Sequence, residues 1–408
     1  MKVLLAPYGS RGDVEPLVAL GLALRARGHS VLVVAPADFA DFVPAQGLEY
    51  RRGGDPFRDA FHGTQNEWFV MAAAMAAMPG QFAALEAACA EFAPDAIVSS
   101  MLQLAAPTVS ALHGIPHFTT IFCPNYLHSR EVSFVGLPMR RAPWLLQRAV
   151  WAVQDALTPR YARSLNRLRA EHRLAPVTSL YRHVMESGPV FLAADPVLAP
   201  APSDGVARSP VPVHQTGAWR LPPSRAVTSA LDAFLAAGES PVYVGFGSMV
   251  HRDARKLSRL VREAVERAGV RAVLGSGWTG LGAEERPRDS LVLGETPHEL
   301  VFPRMAAIVH HGGAGTTTAA ALVGRPQVVV PHLGDQYYHG YRVADLGAGP
   351  QPLYLRALNA GKLARAIRAT VSEPPFAKGA SALAARMNRQ GVANAVTILE
   401  SLVAGHAP

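Results

Sequence analysis

The sequence predicts an α/β protein built from two similar halves, each a parallel sheet wound with helices. Three observations carry that prediction. The first 35 residues read as strand, glycine loop, helix and strand, one βαβ unit that requires parallel strands. A Pro-, Gly- and Ser-rich stretch then interrupts the chain near residues 199–223, and the same alternation restarts at residue 241. Finally, 408 residues leave room for two or three domains at about 150 residues each, and 49% apolar against 17% charged residues supplies enough core material.

The elements follow in order. KVLLA at 2–6 is a buried strand, 7–13 a loop, and 15–27 a helix stopped by Gly28. Pro16 then falls near the first helical turn, where its missing N–H costs little. A second strand is expected at 31–35, helices at 71–92 and 102–113, and strands at 96–99 and 118–122. Beyond the Pro-rich stretch, strands are expected at 241–246, 271–275, 290–294, 306–309 and 327–330, with helices at 254–268 and 316–323. A last helix over 381–403 has apolar spacing suited to docking. The expected domains are 1–200, a linker at 201–223, 224–380, and a C-terminal helix and tail at 381–408. In such folds a ligand binds beyond the carboxyl ends of the strands, in the cleft between halves.

Composition narrows the function. No run of about 18 uncharged apolar residues reads as a membrane span. The opening MKVLLAPYGSRGD breaks into a Gly/Asp loop and reads as a strand, not a signal peptide. Cys89 and Cys123 form neither a metal spacing nor a disulfide framework, which points to a reducing, cytoplasmic setting. The net charge is +8, yet only four lysines occur and no block of like charges appears. The densest arginine stretch, 140–173, is interleaved with apolar residues. That argues against nucleic acid and for an anionic small molecule or a membrane surface, without stable insertion.

The chemistry concentrates in VHHGGAGTTTAAALVGRPQVVVPHLGDQ at 309–336. A strand ends at two histidines, and a glycine loop opens a helix. Gly313, Ala314, Gly315 and Thr316 bring backbone N–H groups and a helix N-terminus together, a cradle for phosphate or diphosphate, and His311 adds a donor. Thr316 is available to cap the helix or to reach a phosphate. No Gly-Lys-Ser/Thr follows, so this is not a Walker loop. Asp335 and Gln336, at the end of the next strand, offer an acceptor and a donor that suit vicinal hydroxyls. In the other half, Ser10, Arg11, Gly12 and Asp13 occupy the equivalent strand-to-helix loop. Asp13 reads either as a first-turn acid stabilised by the helix dipole or as a general base facing the cleft.

These residues resemble the two-domain nucleotide-sugar glycosyltransferases of the GT-B fold, family 1. The similarity is to the bacterial branch that decorates glycopeptide and macrolide antibiotics, and sterol glucosyltransferases share the N-terminal signature. The matching stretches are GSRGDVEPLVALGLALRARGH at 9–29, FLAADPVLAP at 191–200, QTGAW at 215–219, PVYVGFGS at 241–248, HHGGAGTT at 310–317 and the DQ pair at 335–336. The resemblance implies two Rossmann-like domains facing each other across a cleft, acceptor-binding first and donor-binding second. It implies an inverting, metal-independent transfer from a UDP- or TDP-sugar to an acceptor hydroxyl, with no other cofactor.

Residue by residue, the resemblance makes Asp13 the base and His311 a contact of the donor diphosphate. Gly313, Gly315 and Thr316 become the phosphate loop, Ser248 a neighbour of the phosphates, and Asp335 and Gln336 the holders of the sugar. Trp278 and the turn containing Pro297 and His298 fall where the nucleoside binds. Two positions depart from the family. Related plant enzymes place a basic histidine near the N-terminal loop, but here none precedes His29. The aromatic residue that stacks on the base is replaced by Glu295-Thr296, which leaves Trp278 for that task.

Acceptor recognition is expected in the first half, on Phe61, Trp68, Phe69, Tyr126, Phe134 and Trp144, a wall for a small, hydrophobic aglycone. The competing readings are a sterol or lipid glucosyltransferase, a sugar-nucleotide epimerase of the same fold, and a non-catalytic helper. The sequence names neither the sugar nor the aglycone.

Overall fold

A computed structural model of the chain describes residues 1–60, 67–135, 137–222, 229–249, 253–278, 280–294 and 297–405; the side chains of 60 and 67–69 are also outside the description. Twelve strands form among these residues: β1 (Lys2–Ala6), β2 (Ser30–Ala35), β3 (Glu49–Arg52), β4 (Ala96–Ser100), β5 (His117–Ile121), β6 (Val190–Leu192), β7 (Val213–Gln215), β8 (Val242–Gly245), β9 (Ala272–Gly275), β10 (Ser290–Leu293), β11 (Ile308–His310) and β12 (Gln327–Val329). They build a seven-stranded sheet in the order β3-β2-β1-β4-β5-β6-β7 and a five-stranded sheet in the order β10-β9-β8-β11-β12. Every pairing is parallel, with Leu4 opposite both Leu32 and Ile97, and Val309 opposite both Val244 and Val328.

Both orders reverse direction once, between β1 and β4 and between β8 and β11. At such a switch point the loops leave to opposite faces and open a crevice. The Ser10–Asp13 loop follows β1, and His311 follows β11, so the two loops singled out from sequence sit at the two crevices. Apolar residues of the central strands fix them there. Leu4, Leu5, Val33, Val98, Val244 and Val309 are fully buried between helices.

Three strands escaped the sequence reading: β3, β6 and β7. The stretch expected to be a linker supplies the helix Ser203–Arg208 and β7, which extends the first sheet. The first helix, Arg11–Ala26, begins a turn earlier than expected, so Pro16 lies inside it and not in its first turn. The expected last helix is two, Pro374–Arg386 and Gly391–Ala404. The second crosses back to the first half, where Val396 and Leu399 join Leu17, Leu20 and Leu24 in one core. Glu400 accepts from His29 at 2.7 Å and from Arg27 at 2.8 Å on the same seam. Within the helix Glu67–Phe92, the stretch Val70–Phe92 is long and apolar enough to cross a bilayer by length and composition, where the sequence reading expected no such segment. Here its Ala74, Met78, Phe82 and Leu85 pack in the core of the first half.

The halves meet directly. Arg342 donates to the Val197 and Leu198 carbonyls at 3.0 and 2.9 Å, Tyr354 to the Pro138 carbonyl at 3.2 Å, and Asn388 N–H to Asp195 at 2.7 Å.

Candidate active site

The first wall of the cleft is the start of the Arg11–Ala26 helix. Ser10 is its N-cap, and its Oγ accepts from Gly12 N–H at 3.3 Å. Asp13 returns the bond, accepting from Ser10 N–H at 2.8 Å and from Ser10 Oγ–H at 3.2 Å. This reciprocal cap satisfies two donors that a helix end leaves open. Gly9 makes it fit: its φ is +140°, and a Cβ there would lie 2.3 Å from Asp13 Oδ2. The two sequence readings of Asp13 are therefore compatible. One carboxylate oxygen ties the cap, while burial pushes the acid up from 3.8 to about 6, overcoming the hydrogen bonds from Ser10 that pull it down. A carboxylate with that value is a competent base near neutral pH.

The second wall is the loop after β11. His310 is structural: its Nε2 pairs with Gln327 Oε1 at 2.8 Å, and its Nδ1 accepts from Gly312 N–H at 3.0 Å. His311 is different. It is buried, its Nδ1 has no hydrogen-bond partner among the described residues, and burial holds it neutral, well below the usual histidine range. Glycines shape its slot: a Cβ on Gly313 would lie 2.4 Å from His311 Nε2, and one on Gly247 would lie 3.0 Å from its Cε1. Gly313 is the N-cap of the helix Ala314–Leu322, with no side-chain cap. Thr317 N–H makes the first bond back, to Gly313 O at 2.9 Å. The N–H groups of Ala314, Gly315 and Thr316 are thus the open donors of a helix N-terminus, next to a neutral imidazole that can donate. Thr316 does not cap the helix.

Asp335 stands at the N-cap position of the helix Gln336–Asp345 without a side-chain capping bond, and its Oδ2 lies 3.8 Å from His339 Nδ1. Gln336 is buried. Its Oε1 is committed to His332 N–H at 2.8 Å and Leu333 N–H at 3.2 Å, and its Nε2 reaches Met249 Sδ at 3.3 Å. Its carbonyl therefore builds the loop, which leaves the amide N–H side to meet a ligand. Sequence reasoning missed one neighbour. Cys123, two residues after β5, brings its thiol within 4.8 Å of the Asp335 and His339 ligand atoms, across the cleft. Residues some 200 positions apart give no local signal of that meeting.

Ser248 follows β8 beside Gly247, whose carbonyl accepts from Trp278 N–H at 3.0 Å. The Trp278 ring carries the Arg58 guanidinium of the first half 5.4 Å from its centroid. Pro297 is the N-cap of the helix His298–Val301. The His298 ring stacks on Phe302 at 4.3 Å, and burial, with Arg220 and Arg11 nearby, lowers it to about 3. Arg11 belongs to the opposite wall, so the nucleoside turn and the Asp13 helix face one space.

The expected acceptor wall fares differently. Phe61 lies outside the described residues, as do the side chains of Trp68 and Phe69. Tyr126 packs against the Ile121–Leu127 core cluster. Phe134 is buried at 4% exposure and meets His128 and Trp151 edge-on. Trp144 packs on Trp151 at 5.0 Å, with Arg130 and Arg208 over its ring. Phe134 and Trp144 are thus anchors of an aromatic cluster centred on His128, and not an open wall. Aromatic residues satisfy their apolar surface against one another when they can.

Comparison with known proteins places this geometry. Residues 3–129 match the glycosyltransferase family 28 N-terminal domain, and residues 286–402 match the erythromycin biosynthesis protein CIII-like C-terminal domain. The chain is 35% identical to a vancomycin aglycone glucosyltransferase of Amycolatopsis orientalis, over 100% of this chain and 99% of that protein. A sterol 3-beta-glucosyltransferase of Arabidopsis thaliana is 30% identical over 97% of this chain and 64% of its own. The crystal structure of a calicheamicin glycosyltransferase superposes with a TM-score of 0.72 at 19% identity, covering 100% of this chain and 99% of that one, which establishes the shared fold.

Proposed function

The chain belongs to the nucleotide-sugar glycosyltransferases of the GT-B fold, and on that premise we propose that it moves a sugar from a UDP- or TDP-sugar to a hydroxyl of a small natural-product aglycone. The transfer inverts the anomeric carbon and needs no metal ion. The observation that carries this reading is the pairing of a base and a cradle. Asp13, raised to about 6, stands at one switch point, and His311 with three open helix N–H groups stands at the other.

In this mechanism the acceptor oxygen attacks the anomeric carbon from the Asp13 side. Its proton passes to Asp13 as the new C–O bond forms, and the bond from the anomeric carbon to the diphosphate oxygen breaks on the opposite face. The departing electron pair resides on the diphosphate, whose growing charge is met by the Ala314–Thr316 N–H groups and His311. A neutral imidazole serves here because it still offers one N–H. Ser10, Gly12 and Ser248 border the phosphates, and Asp335 with the amide N–H of Gln336 holds the sugar hydroxyls. Trp278, Pro297 and His298 frame the nucleoside. The products are a glycoside and a nucleoside diphosphate.

Calorimetric titration with UDP and TDP, in EDTA, on wild type and His311→Ala tests the cradle. One nucleotide binding tightly to wild type and weakly to the variant supports the reading and selects the donor. Equal binding to both proteins removes His311 from the site. Transfer assays with glycopeptide, macrolide and sterol acceptors then separate a natural-product from a sterol transferase. Donor turnover without any acceptor would point to an epimerase.

A further inference from the structure

The exposed side of the helix Trp144–Tyr161 is apolar, in addition to the inward side that already packs Trp144, Val150, Trp151 and Leu157, whereas a surface helix ordinarily turns polar residues outward. At about 100° per residue, Leu145, Ala149, Ala152, Val153 and Ala156 fall on one strip. All five are exposed, Leu145 to 76% and Val153 to 53%. Arg148 borders the strip, Arg160 extends its line by one turn at the C-terminal end, and Asp155 is the one acid beside it. Of the seven large hydrophobic side chains exposed among the described residues, five belong to this helix or the turn before it: Met139, Leu145, Leu146, Val153 and Tyr161.

The charge is concentrated in the same stretch of chain. Residues 140–173 hold eight arginines against Asp155 and Glu171, a net +6 within a chain whose total is +8. Arg140 pairs with Asp345 at 2.5 Å, and Arg169 is turned inward to the Ala175 carbonyl and Thr108. Among the described residues, Arg141, Arg148, Arg160, Arg163 and Arg167 make no ion pair.

We propose that this face docks the protein on an anionic lipid bilayer, as a peripheral contact lying in the membrane plane. An apolar strip with a cationic border is the pattern that buries side chains at the headgroup–acyl boundary while the border neutralises phosphates. Arginine suits that border because its planar guanidinium binds phosphate bidentately. A protein partner covering an apolar strip would not require most of the molecule's net charge beside it.

The test is co-sedimentation of the whole protein with vesicles of phosphatidylcholine alone and of phosphatidylcholine mixed with phosphatidylglycerol. Two double variants, Leu145→Glu/Val153→Glu and Arg148→Glu/Arg160→Glu, probe strip and border. Val371→Glu, another exposed apolar side chain, on the helix Ala360–Ser372 of the other half, is the control. All sites are on the surface, and thermal melts confirm that each variant is folded. The wild type and the control should partition onto the anionic vesicles, with each double variant reduced about tenfold or more. Raising salt from about 0.1 M to about 1 M, which shortens the Debye length from ~10 Å to ~3 Å, should release the wild type. Failure of the wild type to sediment with anionic vesicles, or equal binding by the double variants, overturns the proposal. So does a wild-type dimer in solution that Leu145→Glu/Val153→Glu dissociates without any vesicle binding, which would make the face a protein interface.

Discussion

Replacing Asp13 by Asn separates a catalytic from a structural role in one variant. The amide keeps the shape and retains an oxygen to accept the Ser10 N–H, so the helix cap survives with a weaker, uncharged acceptor, a loss of about 1 kcal/mol. Against that, the variant no longer buries a charge. The wild-type acid is raised from 3.8 to about 6, a shift of roughly two units, worth ~3 kcal/mol at most and less once its partial exposure is counted. Between those two values the native state binds more protons than the unfolded chain, so wild-type stability falls as pH rises through that window. Asp13→Asn lacks this fall. At neutral pH its melting temperature should therefore equal or exceed that of the wild type, with any advantage shrinking toward pH 4. Its rate should move the other way. Loss of a positioned base costs about 10²–10⁴-fold, while donor affinity stays near the wild-type value because the cradle is untouched. Initial rates of nucleotide release against pH complete the assay. The wild-type acid limb should lie near 6. The neighbouring His298, His310 and His339 are held by burial at about 3, 4 and 4 and cannot supply it. A variant that retains its rate within a few-fold, or that keeps the same acid limb, refutes the assignment.

Other expectations follow from the same geometry. His311→Ala should weaken nucleoside diphosphate binding by about 10- to 100-fold, the worth of one hydrogen bond to a charged group, with little change in melting temperature. Gly313→Ala places a methyl 2.4 Å from His311 Nε2; calorimetry should show a loss similar to that of His311→Ala, and the double variant should add little more. Gly9→Ala combines a φ of +140° with a 2.3 Å approach to Asp13 Oδ2; it should lower the melting temperature and the rate together, in contrast to Asp13→Asn. Gln336→Ala removes the acceptor shared by His332 and Leu333; it should cost about 1–3 kcal/mol of stability as well as donor-sugar affinity, measured by denaturant melts and KM.

Which features were legible from sequence follows from how locally each was specified. The central strands β1, β4, β5 and β8 are buried runs bounded by turn residues, and they lie within a residue or two of where the pattern put them, although β4 (AIVSS) and β5 (HFTTI) are partly polar. β3, EYRR, is an edge strand whose polar residues hide it. β6 and β7 are three residues long, and β7 sits among prolines. A parallel sheet can recruit such short segments because a neighbour supplies the hydrogen bonds. The site divides the same way. The glycine loops announced themselves through composition, since only glycine permits those close approaches. The contact of Cys123 with Asp335 and His339, the inward amide of Gln336 and the collapse of Phe134 and Trp144 into one cluster depend on segments far apart in the chain.

The return of the Gly391–Ala404 helix to the first half has a consequence for assembly. Until residues 391–404 leave the ribosome, the flank of the Arg11–Ala26 helix that Val396 and Leu399 cover stays wet. The half that completes its sheet first is thus the last to be sealed, and the donor half folds while its partner waits. The same crossing dictates where chimaeras can be cut. A hybrid that exchanges donor halves at the Pro-rich stretch alone would pair one parent's first helix with the other parent's last. The interchangeable unit is therefore discontinuous, and residues 391–404 must travel with the segment that carries Asp13.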